Sequence, residues 1–414
     1  MLECTAYMIT LRAQWLVPVT SRIVKDGAVV ADRGRIIDFG PADRILAGHR
    51  SIRKDLGNSI LMPALVNAHT HLELSFLRGR IKAGSGFVEW ASSLIDQRER
   101  ADERDVLVKA KGAIREMYRS GVSLVGEVTN NIFTMRFLSE SELKGIIFYE
   151  IFGQRKDDAL RRFAKALERN LLFKKIFREN RDFAFSITPH APQTVSPVLF
   201  RMIRRYQKMN RSVISVHCAE TADEMKLIRT GRSSIRDFLV GRNFWDPEWK
   251  VPGVSPVEYL SRLGILSKQT LAIHCTQVSS RDIEILRRKK VTVIVCPRSN
   301  RRLKTGKAPI RKLLDAGINV ALGTDSLASN SNLSIFSEMK FIRNEFPDVK
   351  PHELLRIATM NGATALGLER SYGSIEKGKS AELIALDMHG LRDQDEPLEI
   401  LTSGIHPDRV SRPL

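Results

Sequence analysis

Histidine side chains follow several short apolar segments of this chain at the point where each segment ends, and an aspartate follows another. Two of these histidines are separated by one residue. Residues two apart on a strand point to the same side, so both imidazoles can face one ion. Imidazole and carboxylate ligands suit Zn²⁺ or Fe²⁺. The pattern therefore predicts a single divalent metal, zinc by default, with these side chains converging on it: His69, His71, His217, His274 and Asp325.

The alternative is that these histidines are ordinary core residues. A lone histidine in a strand is more often a packed, hydrogen-bonded residue than a ligand, and one His-x-His pair is weak support for a metal. Histidines and an aspartate at the same end of several strands are harder to explain by packing. Buried imidazoles each need a polar partner, and a shared cation supplies one. The set as a whole favours a metal site.

The elements that must position these side chains are short β-branched segments that alternate with long amphipathic stretches from residue 60 onward. This alternation is typical of βα repeats around a parallel sheet, whose strands are nearly continuous apolar runs. Eight such repeats close a barrel, and active sites of that fold lie at the carboxyl ends of the strands. The eight segments are 60–68, 123–128, 145–151, 183–188, 212–216, 270–273, 291–295 and 319–322.

Segments outside these repeats predict a second, smaller unit. An Asp-Gly turn at 26–27 and an Arg-Gly turn at 33–34 separate apolar pieces near the start, and residues 373–387 resemble a turn followed by another strand. We expect an α/β protein with a (β/α)8 TIM-type barrel over residues 61–369. Residues 1–60 and 370–414 would form a small β-sandwich unit.

Composition narrows the function classes. The formal net charge is +19, but the basic residues are spread along the chain without a dense block or interleaved aromatics. This pattern favours a solvated basic surface over a nucleic-acid site. No segment reaches the ~20 apolar residues of a membrane span. The first four residues, which include Cys4, lack the pattern of a secretion signal. We expect a cytoplasmic protein that binds neither nucleic acid nor membrane.

Several segments resemble the amidohydrolase superfamily, in particular its mononuclear deaminase and chlorohydrolase branch. They are residues 63–73 around the His-x-His pair, residues 216–220 with a His-x-x-Glu pattern, residues 323–326, and the stretch 361–368. The resemblance implies that His69, His71, His217 and Asp325 are the metal ligands. It also implies that His274 orients the metal-bound water or the reacting centre.

The resemblance also implies one metal rather than two. Binuclear members carry a lysine at the end of the fourth barrel strand, where this chain has His190. The implied chemistry is hydrolytic deamination. The metal lowers the pKa of bound water from 15.7 to about 7, and Asp325 accepts the water proton. Glu220 would protonate a ring nitrogen and pass a proton to the departing ammonia; the alternative is that Glu220 is a solvated loop carboxylate.

Among members of the superfamily, residues 67–75, 78–80 and 87–90 most resemble the aminodeoxyfutalosine deaminases of menaquinone biosynthesis. Those enzymes remove the purine 6-amino group of an adenine nucleoside that carries a benzoate. S-adenosylhomocysteine and methylthioadenosine deaminases are the alternative. Guanine or cytosine deamination, chlorohydrolysis and a non-catalytic basic binding protein also stay open. Since family members often form dimers, a homodimer is a further open expectation.

Candidate substrate contacts follow from this resemblance and from side-chain chemistry. A benzoate favours a guanidinium, which Arg78, Arg155 or Arg298 could supply from rim loops, and Trp90 could stack on the purine. For the arginines a surface role is equally open, and for Trp90 so is packing within a helix. Related proteins usually continue beyond the end of this chain, so we expect the small β unit to lack a strand. The candidate contacts are Glu73, Arg78, Trp90, Arg155, His190 and Asn300.

Overall fold

The computed structural model describes residues 8–81, 86–180, 182–390 and 396–414 of the chain. The first four residues, which include Cys4, lie outside this range. The expected cytoplasmic location depends in part on these residues. No helix in the described ranges is long and apolar enough to cross a membrane. Within these residues the strands are β1 (Ile9–Leu16), β2 (Val24–Asp32), β3 (Arg35–Pro41), β4 (Ile52–Asp55), β5 (Ser59–Pro63), β6 (Leu65–Thr70), β7 (Val122–Thr129), β8 (Lys144–Ile151), β9 (Phe183–Pro189), β10 (Ile214–Cys218), β11 (Thr270–His274), β12 (Thr292–Val295), β13 (Val320–Leu322), β14 (Leu383–Asp387) and β15 (Val410–Ser411).

The helices alternate with the strands through the middle of the chain. Short 3-10 helices lie at Leu72–Leu77, Lys156–Asp158 and Pro407–Arg409. The α-helices of the described residues are α1 (Ala42–Gly48), α2 (Phe87–Glu99), α3 (Glu103–Arg119), α4 (Ile132–Ser139), α5 (Ala159–Ile176), α6 (Pro197–Asn210), α7 (Ala222–Thr230), α8 (Ser234–Gly241), α9 (Pro256–Arg262), α10 (Ser280–Arg288), α11 (Pro297–Leu303), α12 (Ile310–Asp315), α13 (Ile335–Glu345), α14 (Pro351–Ala358), α15 (Met360–Ala365) and α16 (Pro397–Thr402).

The described residues group into two compact units. One contains those within Met1–Val66, Met117–Leu124 and Ser334–Leu414, and the other contains those within Asn67–Glu116 and Val125–Leu333. The division expected from the sequence, after residues 60 and 369, stays a prediction. The residues with candidate chemistry lie in the second unit.

A seven-stranded sheet forms the β part of the first unit. Its strand order is β15-β14-β5-β1-β2-β3, and β4 pairs with β1. β14 lies antiparallel to β5, which brings the C-terminal strand into the sheet of the N-terminal strands. Alternate apolar residues of these strands pack into one core, which includes Leu11, Val29, Leu61 and Leu383. Burial of this face holds the sheet in register because a slip by one residue would expose it.

The second unit contains the barrel. Its strands form two four-stranded sheets, β6-β7-β8-β9 and β10-β11-β12-β13. Backbone hydrogen bonds join the sheets at both margins: His217 N–H donates to the His190 carbonyl at 2.9 Å, and Asp325 N–H donates to the His69 carbonyl at 3.1 Å. The eight strands therefore close into the predicted TIM-type ring, and the two joints themselves involve residues with candidate chemistry.

One predicted segment is two strands rather than one. Residues 60–68 looked like a single apolar run, but β5 pairs with β1 and β14 in the seven-stranded sheet, while β6 begins the barrel. Both strands are buried along their whole length. Because both sheets bury this run, hydrophobicity gave no sign of the break at Ala64.

Candidate active site

Four histidines and an aspartate converge at the carboxyl-terminal rim of the barrel. His69 lies in β6 and His71 just beyond it, while His217 and His274 lie at the ends of β10 and β11. All are buried, with side chains from distant segments brought within reach of one ion. Two overlapping groups, each with ligand atoms within 4.8 Å of one another, result: His69, His71 and Asp325, and His69, His217 and His274.

The backbone turns sharply where two of these side chains are presented. His274 has φ of 70° and Asp325 has φ of 58°, both in the left-handed region that non-glycine residues seldom adopt. Ala219, two residues past His217, has φ of 51°. Such conformations persist where surrounding contacts over-determine them, and they cluster at functional sites. The rim geometry is thus held by the fold rather than by local preference.

The two oxygens of the Asp325 carboxylate have different surroundings. Oδ2 accepts hydrogen bonds from Ser299 Oγ at 2.6 Å and Ser329 Oγ at 2.7 Å. Oδ1 lies 3.7 Å from His71 Nε2 and 3.9 Å from His69 Nε2. Burial acts to raise the pKa of Asp325, but the neighbouring imidazoles and the Ser299 hydroxyl outweigh it and the pKa falls below its usual value. The group is an ionised carboxylate with one oxygen turned to the histidines.

The histidines are held in the neutral form that binds metals. Burial is the main cause that lowers the pKa of His69, His71 and His217. His217 Nδ1 lies 3.0 Å from the carbonyl oxygen of His190. Since a carbonyl only accepts, Nδ1 carries the proton and Nε2 keeps its lone pair for a cation.

The buried ring nitrogens of His69 indicate that these residues fit a divalent metal. His69 is fully buried, and neither of its ring nitrogens has a hydrogen-bonding partner among the described residues. An unpaired buried polar group of this kind is costly. A cation shared with the neighbouring imidazoles and Asp325 Oδ1 would remove that cost. Nitrogen and oxygen donors in this number suit zinc or ferrous iron. The cluster is a histidine and aspartate metal-binding site.

Glu220 lies beside this cluster on the loop that follows β10. Its Oε1 is 3.6 Å from His274 Nε2, and the side chain is buried. Burial, followed by the charges of Asp325 and Glu224, raises the pKa of Glu220 well above its usual value. The Glu224 carboxylate fixes the loop by accepting hydrogen bonds from the backbone N–H groups of Ala219 and Glu220, at 2.9 and 2.7 Å. The loop presents a carboxyl group that holds its proton to higher pH than an exposed glutamate does.

Asn300 contacts the imidazole of His274 at the ring nitrogen that does not face Glu220. Asn300 Nδ2 lies 3.0 Å from His274 Nδ1 and 2.9 Å from Thr305 Oγ1. With Nδ1 accepting, the neutral ring carries its proton on Nε2, which faces Glu220. Burial lowers the pKa of His274 to about 4, so the ring stays neutral at pH 7. Asn300 itself does not line the cavity.

A cavity of about 210 Å³ opens above the metal-binding site. Its floor carries His71, His217, Glu220, His274 and Asp325. Six further lining residues, from α2, α8 and the segment after α8, are apolar, and we call them the apolar wall. The apolar wall consists of Phe87, Trp90, Leu94, Phe238, Leu239 and Phe244.

Three of the substrate contacts expected from the sequence line this cavity. Trp90 does so with its indole N–H donating to the Ala328 carbonyl at 3.2 Å. His190 lies with its ring stacked on Phe152 at a centroid distance of 4.1 Å. Glu73 also lines it, paired with Arg98 at 3.0 Å. Whether they contact a substrate stays a prediction.

The three expected arginines do not line the cavity. Arg78 pairs with Glu116 at 2.5 Å, and Arg155 donates to Asn243 Oδ1 at 3.3 Å. Arg298 donates to Asn332 Oδ1 at 2.8 Å. Their position outside the cavity agrees with the alternative of a surface role. Sequence could place them in rim loops but not set the direction of their side chains.

Sequence reasoning missed a carboxylate at the rim. Glu150, near the end of β8, is buried, lines the cavity, and has Oε1 3.4 Å from His217 Nδ1. Burial, followed by the charge of Glu73, raises the pKa of Glu150 well above its usual value. Glu127 in β7 is similar, and both of its oxygens accept from Leu72 N–H at 3.1 Å. A carboxylate inside an apolar strand was the available signal, since a buried charge needs a partner.

A barrel with such a rim defines a metal-dependent hydrolase. Residues 60–410 match the amidohydrolase family, and the chain belongs to that family. Among its relatives, a 5-methylthioadenosine/S-adenosylhomocysteine deaminase of Moorella thermoacetica is 30% identical over 386 residues, which cover 90% of this chain and 84% of the relative. The enzyme of the same name from Pyrococcus abyssi is 32% identical over 363 residues, covering 84% and 79%.

Solved structures agree with the fold. An adenosine deaminase from Xanthomonas campestris with bound zinc has a TM-score of 0.83 and 26% identity, covering 98% of this chain and 90% of that one. An aminofutalosine deaminase from Helicobacter pylori has a TM-score of 0.82 and 23% identity, covering 95% of this chain and 94% of that one. At this identity the similarity supports the fold alone. Together with the family and its deaminase relatives, the site makes this chain a hydrolytic deaminase.

Proposed function

We propose that this enzyme removes the 6-amino group of an adenine nucleoside by hydrolysis, with one zinc ion. The observation that carries the proposal is the position of Glu220. Its buried carboxyl group lies 3.6 Å from His274 Nε2 and faces the cavity beside Asp325. A proton donor, a hydrogen-bonding imidazole and an ionised carboxylate thus surround one point above the metal-binding site. Relatives that carry deaminase names support the same activity.

In this proposal His69, His71, His217 and Asp325 hold the zinc. When bound, such a metal lowers the pKa of water from 15.7 to about 7, which makes hydroxide available at neutral pH. Asp325 would also accept the proton that the water loses, and its Oδ2 is held in place by two serine hydroxyls. Ferrous iron is the alternative occupant.

Glu220 and His274 act on the substrate. Glu220 donates its proton to the ring nitrogen beside the carbon under attack, which lets that carbon accept the oxygen of water. The proton that Asp325 took from water then passes to the amino group, the carbon–nitrogen bond breaks, and ammonia leaves. The proton of the added hydroxyl group returns to Glu220 as the carbon–oxygen bond becomes double. His274 Nε2–H donates to the incoming oxygen, since Nδ1 is occupied by Asn300. The product keeps the oxygen as a purine 6-oxo group.

Two nucleosides are candidate substrates. The sequence motifs favour aminodeoxyfutalosine, which would place the enzyme in menaquinone biosynthesis. The relatives at 30–32% identity are named for methylthioadenosine and S-adenosylhomocysteine. The apolar wall specifically favours methylthioadenosine, whose 5′ thioether is uncharged. We propose methylthioadenosine as the second candidate on that observation.

A substrate panel tests the proposal. Zinc-loaded protein is incubated with aminodeoxyfutalosine, methylthioadenosine, S-adenosylhomocysteine, adenosine, guanine and cytosine, and ammonia release is measured for each. We expect turnover of at least one adenine nucleoside. Turnover of guanine or cytosine alone, or of no substrate in the panel, would refute adenine deamination. Elemental analysis of native protein identifies the metal separately, and a metal-free native protein would refute the zinc assignment.

A further inference from the structure

One wall of the cavity is made by a helix that buries none of its own residues completely. Every residue of α2 keeps some exposure, although its sequence Phe87-Val88-Glu89-Trp90 continues with further apolar residues. Phe87, Trp90 and Leu94 pack only partly buried against neighbouring core residues and also line the cavity. Helix faces of this composition normally lie against other apolar surface. The face of α2 is therefore available to an apolar group inside the cavity.

Helix α8 and the segment after it complete this surface. Phe238, Leu239 and Phe244 line the cavity from that side. Arg242 ties the two parts together, with Nη2 2.9 Å from Ser92 Oγ and 2.5 Å from Asp96 Oδ1, both on α2. The apolar wall is held in place by these polar contacts on its outer side. A prearranged surface binds an apolar group without first having to order itself.

The cations around this surface are already engaged. Among the described residues that line the cavity, the one guanidinium belongs to Arg98, which pairs with Glu73 at 3.0 Å and also donates to Asn130. Arg242 lies with its guanidinium carbon 5.9 Å from the Phe238 ring, but its Nη2 is bonded to Asp96. A substrate carboxylate placed against the apolar wall would lose hydration and meet no unpaired guanidinium among the described lining residues.

We propose that the apolar wall binds the 5′ substituent of the nucleoside through apolar and aromatic contact alone. This inference rests on the proposed adenine nucleoside deamination. Thioether, alkyl and aryl substituents are accepted, whereas the zwitterionic amino-acid chain of S-adenosylhomocysteine is disfavoured. A carboxylate attached to an accepted group adds nothing to recognition. The wall thereby separates substrates that share the same adenine and ribose.

Steady-state kinetics with paired substrates test this inference. The pairs are methylthioadenosine with S-adenosylhomocysteine, and 5′-phenylthioadenosine with its para-carboxylated form. We expect kcat/KM to be about tenfold or more higher for methylthioadenosine than for S-adenosylhomocysteine, the scale on which apolar pockets discriminate. The carboxylated phenyl substrate should not exceed its uncharged partner. A preference for either charged substrate would overturn the inference while leaving adenine deamination intact.

Two arginine substitutions on α8 provide a matched pair. Phe238→Arg places a guanidinium in the cavity and should raise kcat/KM for the charged substrates relative to the uncharged ones about tenfold. Val240→Arg adds the same charge on the same helix, at a residue that is 52% exposed and does not line the cavity. It should leave the ratio unchanged. An equal shift in both variants would show that general charge, not the wall, sets the preference.

A further variant covers the case in which Phe238→Arg does not fold. Leu94→Ala shortens a side chain of the apolar wall without adding charge. It should lower kcat/KM for methylthioadenosine about tenfold and change that for adenosine much less, since adenosine carries only a hydroxyl at the 5′ position. Equal losses for both nucleosides would overturn the inference. No turnover of any adenine nucleoside by the unaltered enzyme would refute the proposed function first, and the inference with it.

Discussion

The carboxylate of Glu224 accepts a hydrogen bond from the backbone N–H of Glu220 at 2.7 Å, and from Ala219 N–H at 2.9 Å. Thr276 Oγ donates to the Glu220 carbonyl at 2.6 Å. The loop that carries the proposed proton donor is thus fixed through its backbone, while the Glu220 side chain is left to the cavity. Glu224 and Thr276 position Glu220, whereas the Glu220 carboxyl group performs the proposed chemistry. Substitutions of Glu224 and of Glu220 should therefore have different effects.

We predict that Glu220→Gln keeps its metal and loses turnover. The amide has nearly the same shape but cannot carry the proton to the ring nitrogen. General acid–base catalysis contributes typically 10²–10⁴-fold, so kcat should fall by about that factor. Elemental analysis should find the same metal content as in the unaltered enzyme. A variant with normal kcat would remove Glu220 from proton transfer.

For Glu224→Gln we predict a smaller loss, seen mainly in kcat. The amide keeps one acceptor oxygen, so one of the two backbone bonds to the loop is lost and Glu220 shifts. Misplacement of a reacting group by about 1 Å can cost about 10²-fold, and we expect kcat to fall by up to that amount with KM nearly unchanged. Glu224→Asp, which keeps both acceptor oxygens, should recover part of the rate. A rise in KM alone would instead point to substrate binding.

Replacing Glu150 should weaken metal binding. Its Oε1 lies 3.4 Å from the Nδ1 of His217. Groups that support a ligand in this way are typically worth about 10–100-fold in metal affinity. We expect Glu150→Gln to release zinc to a chelator at a correspondingly lower concentration. Glu127→Gln is the control, since Glu127 is equally buried but binds Leu72 N–H; equal effects would contradict a specific role.

Acid should destabilise the metal-free protein through its buried histidines. Burial lowers the pKa of His190 to about 3 and that of His274 to about 4, whereas unfolded histidine has a pKa of about 6.5. Below about pH 6.5 these histidines therefore bind protons in the unfolded chain while they stay neutral in the folded protein. The free energy of unfolding should be highest above that pH and fall as the pH drops toward 4 and then 3.

Urea denaturation at several pH values, with a chelator present, measures this dependence. His190→Gln removes one of the buried groups and should flatten the curve between about pH 6.5 and 3. The Thr194 contact of His190, at 2.7 Å, offers the amide a hydrogen-bonding partner. Curves of equal slope for the variant and the unaltered protein would show that His190 does not contribute.

Local patterns in the sequence were enough for the main elements. Eight apolar segments with intervening helices predicted the barrel. Ser196 and Ser255, each followed by a proline, cap the start of α6 and of α9, which is capping chemistry that lies within a few residues of sequence. The His-x-His pair and the histidines at the ends of β10 and β11 could be placed at one rim because parallel strands share a carboxyl end. These properties depend on residues close together in sequence, whose periodicity and capping chemistry are readable without the fold.

Tertiary structure decided how each side chain is used. Asp325 Oδ2 binds Ser299 and Ser329, Glu150 meets His217, and Arg98 reaches the cavity wall where Arg78 does not. Each of these contacts depends on the rotamers and turns of segments that approach only when the barrel closes. Sequence thus determined that the histidines and Asp325 lie at the rim, although it did not reveal Glu150 there. The packing of distant segments determined which atom of each group remains free for a metal or a substrate.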